Sequence, residues 1–198
     1  MSIDVRTDTR RTQLAASALT TLSERGYANT SIRDIAQNSE FSHGVLHYYF
    51  KDKTELILEA MELFKVQLIE RYDATLASSD NADGLFLAFA GHMSDAVLDD
   101  GALHRLWYDF RAQGMFDAGL REHVMRVDGL IEQAVLRIVT RYAELSGTRC
   151  VLDSAAAYAL IDGLFQRALQ EHFSGDLEAS TRLIGRVHDV LPVIFATA

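Results

Sequence analysis

Cysteine, proline and tryptophan each occur once among 198 residues, as Cys150, Pro192 and Trp107. A lone thiol closes no intramolecular disulfide, so the fold depends on packing and the chain suits a reducing cytoplasm. One proline leaves long stretches with nothing to interrupt a helix. Sustained alternation of polar and apolar positions is missing too; spacings of three and four dominate and predict an all-α fold. No run approaches the ~18 consecutive apolar residues that span a bilayer, so no membrane partner is expected. Arg10-Arg11 precedes an apolar LAASAL, as in a twin-arginine export signal. Thr20, Thr21, Glu24 and Arg25 interrupt that run and make it an amphipathic helix instead.

Chemistry-bearing patterns are equally sparse. No Gly-rich phosphate loop, Walker sequence or Ser-His-Asp arrangement is recognisable, so no enzyme activity, catalytic residue or cofactor is expected. His43 and His47 stand four apart, the spacing at which two imidazoles on one helix bind zinc, but no third ligand lies near them in sequence and no metal is expected. A di-iron bundle would need paired Glu-x-x-His motifs, and Glu40 to His43 is the single instance. Ser79, Asn81, Asp83 and Gly84 echo a calcium loop faintly, with Ala90 where the last ligand belongs.

Positive charge is scarce: 19 Lys and Arg face 28 Asp and Glu, a net charge of −9. Its distribution is uneven. Residues 1–53 carry seven Lys or Arg against six Asp or Glu, +1, which leaves 12 against 22, −10, for residues 54–198. A phosphate backbone would tolerate the first part and repel the second, which would orient the molecule on nucleic acid.

What is present begins with the stretch from Thr30 to Lys53. Ser31 and Asp34 form an [ST]-x-x-[DE] capping box, and Ile32, Ile35 and Ala36 give one apolar face, predicting a short helix over about 31–38. Gln37-Asn38-Ser39-Glu40 favours a turn, with Phe41 as an apolar plug. Ser42 is a second N-cap, from which a helix over His43 to Tyr49 points Leu46 and Phe50 inward, with Tyr49 near them. His43, Gly44, Val45, His47 and Tyr48 fall on its other face. Gly44 leaves room for close approach, and free N–H groups at a helix start attract anions. Two short helices joined by a tight turn, one with such a face, make a helix-turn-helix DNA reader.

Asp34, Ile35, Ala36, Ser42, Gly44, Leu46, Tyr49, Phe50, Lys53 and Leu56 stand in the register of the TetR family of bacterial repressors, which this stretch resembles. Departures are Ser39 and Glu40 in place of the turn's small residue and glycine, Val45 in place of the usual threonine, and His47 in place of the usual tyrosine. The resemblance implies DNA contact by Ser31, Arg33, Ser42, His43, Gly44, Val45, His47, Tyr48 and Lys53. It covers about the first quarter of the chain, and the helical remainder has the length and pattern of the family's variable ligand-binding domain.

Ahead of the reader, residues 1–8 are polar and read as an arm whose Arg6, with Arg10 and Arg11, could reach a phosphate. A first helix with Leu14, Ala18 and Leu22 on one face stops at Gly26. After the reader, Asp52 and Glu55 cap a long helix with a stripe of Leu56, Ile57, Ala60, Met61, Phe64 and Leu68. Helices over about 85–99, 103–114, 117–145, 152–173 and 177–196 follow, making about nine, with Pro192 expected to kink or end the last. Aromatic and methionine side chains, Phe64, Phe86, Phe89, His92, Met93, Trp107, Tyr108 and Phe110, are the candidate lining of a pocket for a largely apolar small molecule. Asp109 and Asp162 could help orient a ligand. The segment ALIDGLFQRAL at 159–169 resembles the family's dimerisation helix, and Ala155, Ala159, Leu164, Phe165, Leu183, Val187 and Leu191 are candidates for a two-fold four-helix interface.

The expectation is thus a helix-turn-helix DNA-binding domain at 1–53 and a ligand-binding and dimerisation domain at 54–198. The chain would be a homodimeric repressor, released from a palindromic double-stranded operator by a small-molecule effector. The alternative is a helical metal-binding protein or enzyme with a vestigial head.

Overall fold

The computed structural model describes the backbone of residues 2–197 and the side chains of residues 9–197. Within them run nine helices: α1 (Ser2–Arg25), α2 (Ile32–Gln37), α3 (His43–Tyr49), α4 (Lys53–Ser78), α5 (Ala82–Asp99), α6 (Gly101–Gly114), α7 (Ala118–Ser146), α8 (Ser154–Phe173) and α9 (Ala179–Ile194). Helix α1 begins at Ser2, so the expected arm is the first turns of a helix; the side chain of Arg6 lies outside the described residues. Among the described residues no helix is long and apolar enough to cross a membrane.

The chain divides into two compact units, residues 1–67 with 102–124 and residues 68–101 with 125–198. In the first, Leu14, Ala15, Ala18 and Leu22 of α1, Ile32 and Ile35 of α2, Leu46 of α3, and Leu56, Ile57, Ala60 and Met61 of α4 are buried, together with Phe41 and Phe50 at the ends of α3. Gly26 ends α1 at φ 73°, a left-handed conformation that costs glycine nothing, and Thr30 Oγ1 donates to its carbonyl at 2.6 Å. Helix α4 starts as its capping residues predict, since the Glu55 amide donates to Asp52 Oδ1 at 2.9 Å. The reciprocal bond reaches one residue further back, from the Lys51 amide to Glu55 Oε2 at 2.8 Å.

In the second unit α9 packs on α5 and α8. Leu85, Phe89, Ala90, Met93 and Val97 of α5 meet Ile161, Phe165 and Leu169 of α8 and Leu183 and Val187 of α9 in its core. Two three-residue strands, β1 (Thr148–Cys150) and β2 (Phe195–Thr197), pair antiparallel with Cys150 opposite Phe195. Nothing in the sequence marks this ladder, because three-residue strands leave no alternation to detect. It also corrects the last helix, expected to about 196. Pro192 sits inside α9, which continues for two residues and hands over to β2 at Phe195. A proline this close to a C-terminus removes only one helical hydrogen bond.

Candidate nucleic-acid interface

Both short helices of the reader are fixed by side chains at their starts. Ser31 Oγ accepts from the Asp34 amide at 3.1 Å while Asp34 Oδ2 accepts from the Ser31 amide at 2.8 Å and from the Ser31 hydroxyl. Those bonds, then Arg25 at 3.0 Å, hold the Asp34 carboxyl below the usual carboxylate range. Ser42 Oγ likewise accepts from the Val45 amide at 3.3 Å and caps α3. Between them Ser39 Oγ accepts from the Phe41 amide at 3.2 Å, so the serine that replaces a small turn residue closes the turn with its own hydroxyl.

With Leu46 and Phe50 buried, α3 leaves Ser42, His43, Gly44, His47 and Tyr48 exposed, Tyr48 by 82%. Val45, expected on the same face, is half-buried. A Cβ added at Gly44 would meet nothing nearer than Ser42 Oγ at 4.0 Å, so packing within the chain does not require glycine there. The Tyr48 ring packs edge-on to Tyr49 at 5.1 Å. His43 and His47 bring their Nε2 atoms to 3.2 Å.

The cations divide into two groups. Arg11 works inside the head: it donates to the Tyr49 carbonyl at 2.6 Å, pairs with Glu55 at 3.1 Å and Glu59 at 3.0 Å, and lies 4.4 Å above the Phe50 ring. Arg10 lies 4.4 Å above Phe41. Lys53 is half-buried, donating to the Tyr27 carbonyl at 2.6 Å with its ammonium 4.0 Å from that ring's centre. One of its three donors is thereby used and two remain. Arg33 and Lys51 are exposed, and neither side chain makes a hydrogen bond or ion pair with the described residues. Lys51, beside the end of α3, was missed in the sequence reading because it fits no cap, periodicity or motif position.

Two short capped helices with an exposed, sterically unneeded glycine and free cations form a helix-turn-helix. The family model for bacterial regulatory proteins of the tetR family matches residues 14–60. Residues 14–60 therefore carry a DNA-binding head of the tetR type. Over 182 residues the chain resembles the HTH-type transcriptional regulator BetI of Cronobacter sakazakii at 28% identity, covering 88% of this chain and 86% of that one. It resembles the HTH-type transcriptional repressor KstR2 of Mycobacterium tuberculosis at 29% identity over 141 residues, 66% of this chain and 70% of that one. The fold is shared with FadR from Bacillus subtilis, solved in complex with stearoyl-CoA: TM-score 0.69, 20% identity, 90% of this chain and 96% of that one. The chain is a helix-turn-helix transcriptional regulator.

The expected pocket residues of the helical body do not converge on one place. Phe86 and Phe89 line a cavity of about 30 Å³ in the second unit, with Leu85, Ile138, Val139, Tyr142, Ile161, Val187, Leu191 and Phe195. Its wall therefore comes from α5, α7, α8, α9 and β2 and is apolar. His92 pairs with Thr75 Oγ1 at 2.9 Å, and Met93 is core. Phe64, Trp107, Tyr108 and Phe110 belong to the first unit, where Phe110 packs edge-on against Tyr27 at 5.6 Å. There the buried Lys65 ammonium lies 3.1 Å from His104 Nδ1, 5.2 Å from the Phe64 ring and 5.5 Å from Trp107. A lysine buried in an apolar stripe gives no periodic signal of its own, so the sequence did not expose this pair.

The expected dimerisation residues also separate. Ala155 and Ala159 are exposed on α8, and Leu164 and Leu191 are half-buried. Phe165, Leu183 and Val187 are buried in the chain's own core, which corrects their assignment: their spacing marks the inward stripes of α8 and α9. Gly163 and Gly185 stand exposed in their place, each in mid-helix with nothing within 4 Å of an added Cβ. Among the described residues no group of three or more His, Cys, Asp or Glu could hold a metal ion.

Proposed function

We propose that the chain is a ligand-responsive repressor that binds a palindromic operator as a homodimer. Residues 1–53 read DNA, and residues 54–198 bind the effector and the second copy. The observation that carries this is the free face of α3, where His43, Gly44, His47 and Tyr48 stand exposed beside Ser31, Arg33 and Lys51. In a dimer two such helices enter successive major grooves about 34–36 Å apart. Gly44 and the capped start of α3 approach the backbone, the imidazoles meet base edges, and Arg33, Lys51 and Lys53 meet phosphates. KstR2, a similar protein, is named a repressor.

Small side chains favour α8 and α9 as the dimer interface. Ala155, Ala159 and Gly163 recur every fourth residue on α8, and exposed glycine in mid-helix costs about 1 kcal/mol against alanine unless close helix approach uses it. The effector is small and largely apolar, in keeping with the apolar walls of the cavity beside Phe86 and Phe89 and with the stearoyl-CoA held by FadR. A drug-sized site has roughly 300–1,000 Å³, so a cavity of about 30 Å³ must open to admit it. Opening couples ligand to helix position, and shifting the dimer from mostly bound to mostly released takes about 5.5 kcal/mol of preference between the two forms.

The test is fluorescence anisotropy of the purified protein on DNA from upstream of its own gene, at two salt concentrations, against a scrambled duplex. Specific binding to the upstream duplex, lost on adding a saturated acyl thioester or free fatty acid, is the expected result. Equal affinity for both duplexes refutes operator recognition; specific binding that no apolar compound releases refutes the effector assignment.

A further inference from the structure

Two imidazoles on α3 occupy a geometry that DNA reading does not explain. His43 and His47, one turn apart, are both exposed, with rings 4.4 Å apart at 73° and Nε2 atoms 3.2 Å apart. An N–H···N hydrogen bond joins the two ring nitrogens when one of them carries its proton; when neither does, their lone pairs converge on one point, which suits a bound metal ion. We propose that this pair is a binding site for a divalent transition metal, zinc by its geometry.

The argument is one of bite. Zinc binds imidazole nitrogen at about 2.0–2.1 Å. With the nitrogens 3.2 Å apart, the N–Zn–N angle is then roughly 99–106°, close to tetrahedral. A square-planar pair at 90° would need them at about 2.8–3.0 Å, so Cu²⁺ and Ni²⁺ fit less well than Zn²⁺. The helix that carries the donors is also pre-ordered. Ser42 caps the helix one residue before His43, and buried Leu46 and Phe50 anchor it on either side of His47. Little chain entropy is lost when the metal arrives. Since no third ligand converges there among the described residues, water fills the remaining positions, and affinity is modest. Protons compete with the metal for the same lone pairs, so acid releases it.

The consequence rests on the reading of α3 as the DNA-facing helix. A hydrated ion on His43 and His47 turns both imidazoles away from base edges and stands between helix and groove, so the loaded protein loses specific binding while its added charge sustains non-specific binding.

Isothermal titration of the chelator-stripped full-length protein with zinc chloride tests the site itself. One zinc per chain is expected, with affinity falling about tenfold or more in His43→Ala and in His47→Ala, and unchanged in His188→Ala on α9. Thermal melts identify any variant that has lost its fold, and His47→Gln then replaces His47→Ala. No saturable uptake, or uptake unchanged in either variant of the pair, overturns the proposal. Anisotropy on the upstream duplex with zinc or with chelator tests the consequence. Zinc uptake that needs both histidines while specific binding is unaffected upholds the metal site and refutes the placement of α3 in the groove.

Discussion

One methyl group added at Gly44 separates what the fold asks of α3 from what DNA asks of it. The position is exposed in the first turn, and the new Cβ meets nothing nearer than Ser42 Oγ at 4.0 Å. Gly44→Ala should leave the fold intact and gain up to about 1 kcal/mol, because alanine loses less backbone entropy on entering a helix. For a chain of this size that moves Tm by at most roughly 2–4 °C, upward. On DNA the methyl group stands where the helix start approaches the backbone. A loss of about 1 kcal/mol per head, doubled by two heads, weakens specific binding roughly 30-fold. The salt slope should not change, because no cation has been removed. Melting curves and anisotropy on the upstream duplex at two salt concentrations measure both sides. Unchanged affinity in a folded variant would place Gly44 away from DNA, and a lowered Tm would make the glycine structural; either refutes the argument.

Lys53→Met keeps the aliphatic stem and removes the ammonium. It should cost about 1 kcal/mol of stability through the lost bond and ring contact with Tyr27, and lower the salt slope of a dimer by about 1.8 on every duplex alike; an unchanged slope rules out its phosphate contact. Gly185→Leu puts a large side chain on the exposed face of α9 where the chain itself offers no obstacle, so sedimentation velocity should show monomer with undiminished helicity, and a persisting dimer would move the interface elsewhere. Glu171 bonds Arg186, then Arg167, and its carboxyl is held down at about 2. A carboxyl lowered on folding contributes stability that is complete above its unfolded value of 4.5 and lost as pH falls toward 2, so Tm should fall over that window and Glu171→Gln should flatten the fall. Equal acid sensitivity in both would mean that other carboxylates dominate.

Local signals carried the reader. Ser31 with Asp34 and Ser42 ahead of Val45 act within four residues, so the starts of α2 and α3 were legible and fall where the caps put them. The inward pattern of Leu46 and Phe50 is equally local. Arginine roles were not legible. Arg10, Arg11 and Arg33 look alike in the sequence, yet Arg11 bonds Tyr49, Glu55 and Glu59, 38 to 48 residues away, and the Arg33 side chain bonds none of the described residues. The pairing of Cys150 with Phe195 and the paired imidazole nitrogens are likewise tertiary facts.

By itself, then, the sequence determined an all-helical chain with a helix-turn-helix head, because caps, turn residues and apolar periodicity depend on neighbours within one or two turns. Only the tertiary structure decided which apolar stripe is core and which is free. Phe165, Leu183 and Val187 have the spacing of an interface and are buried, whereas Gly163 and Gly185 carry no apolar side chain to mark a face and are exposed. Periodicity reports that a face is apolar; what covers that face is set by the packing of segments far apart in the chain.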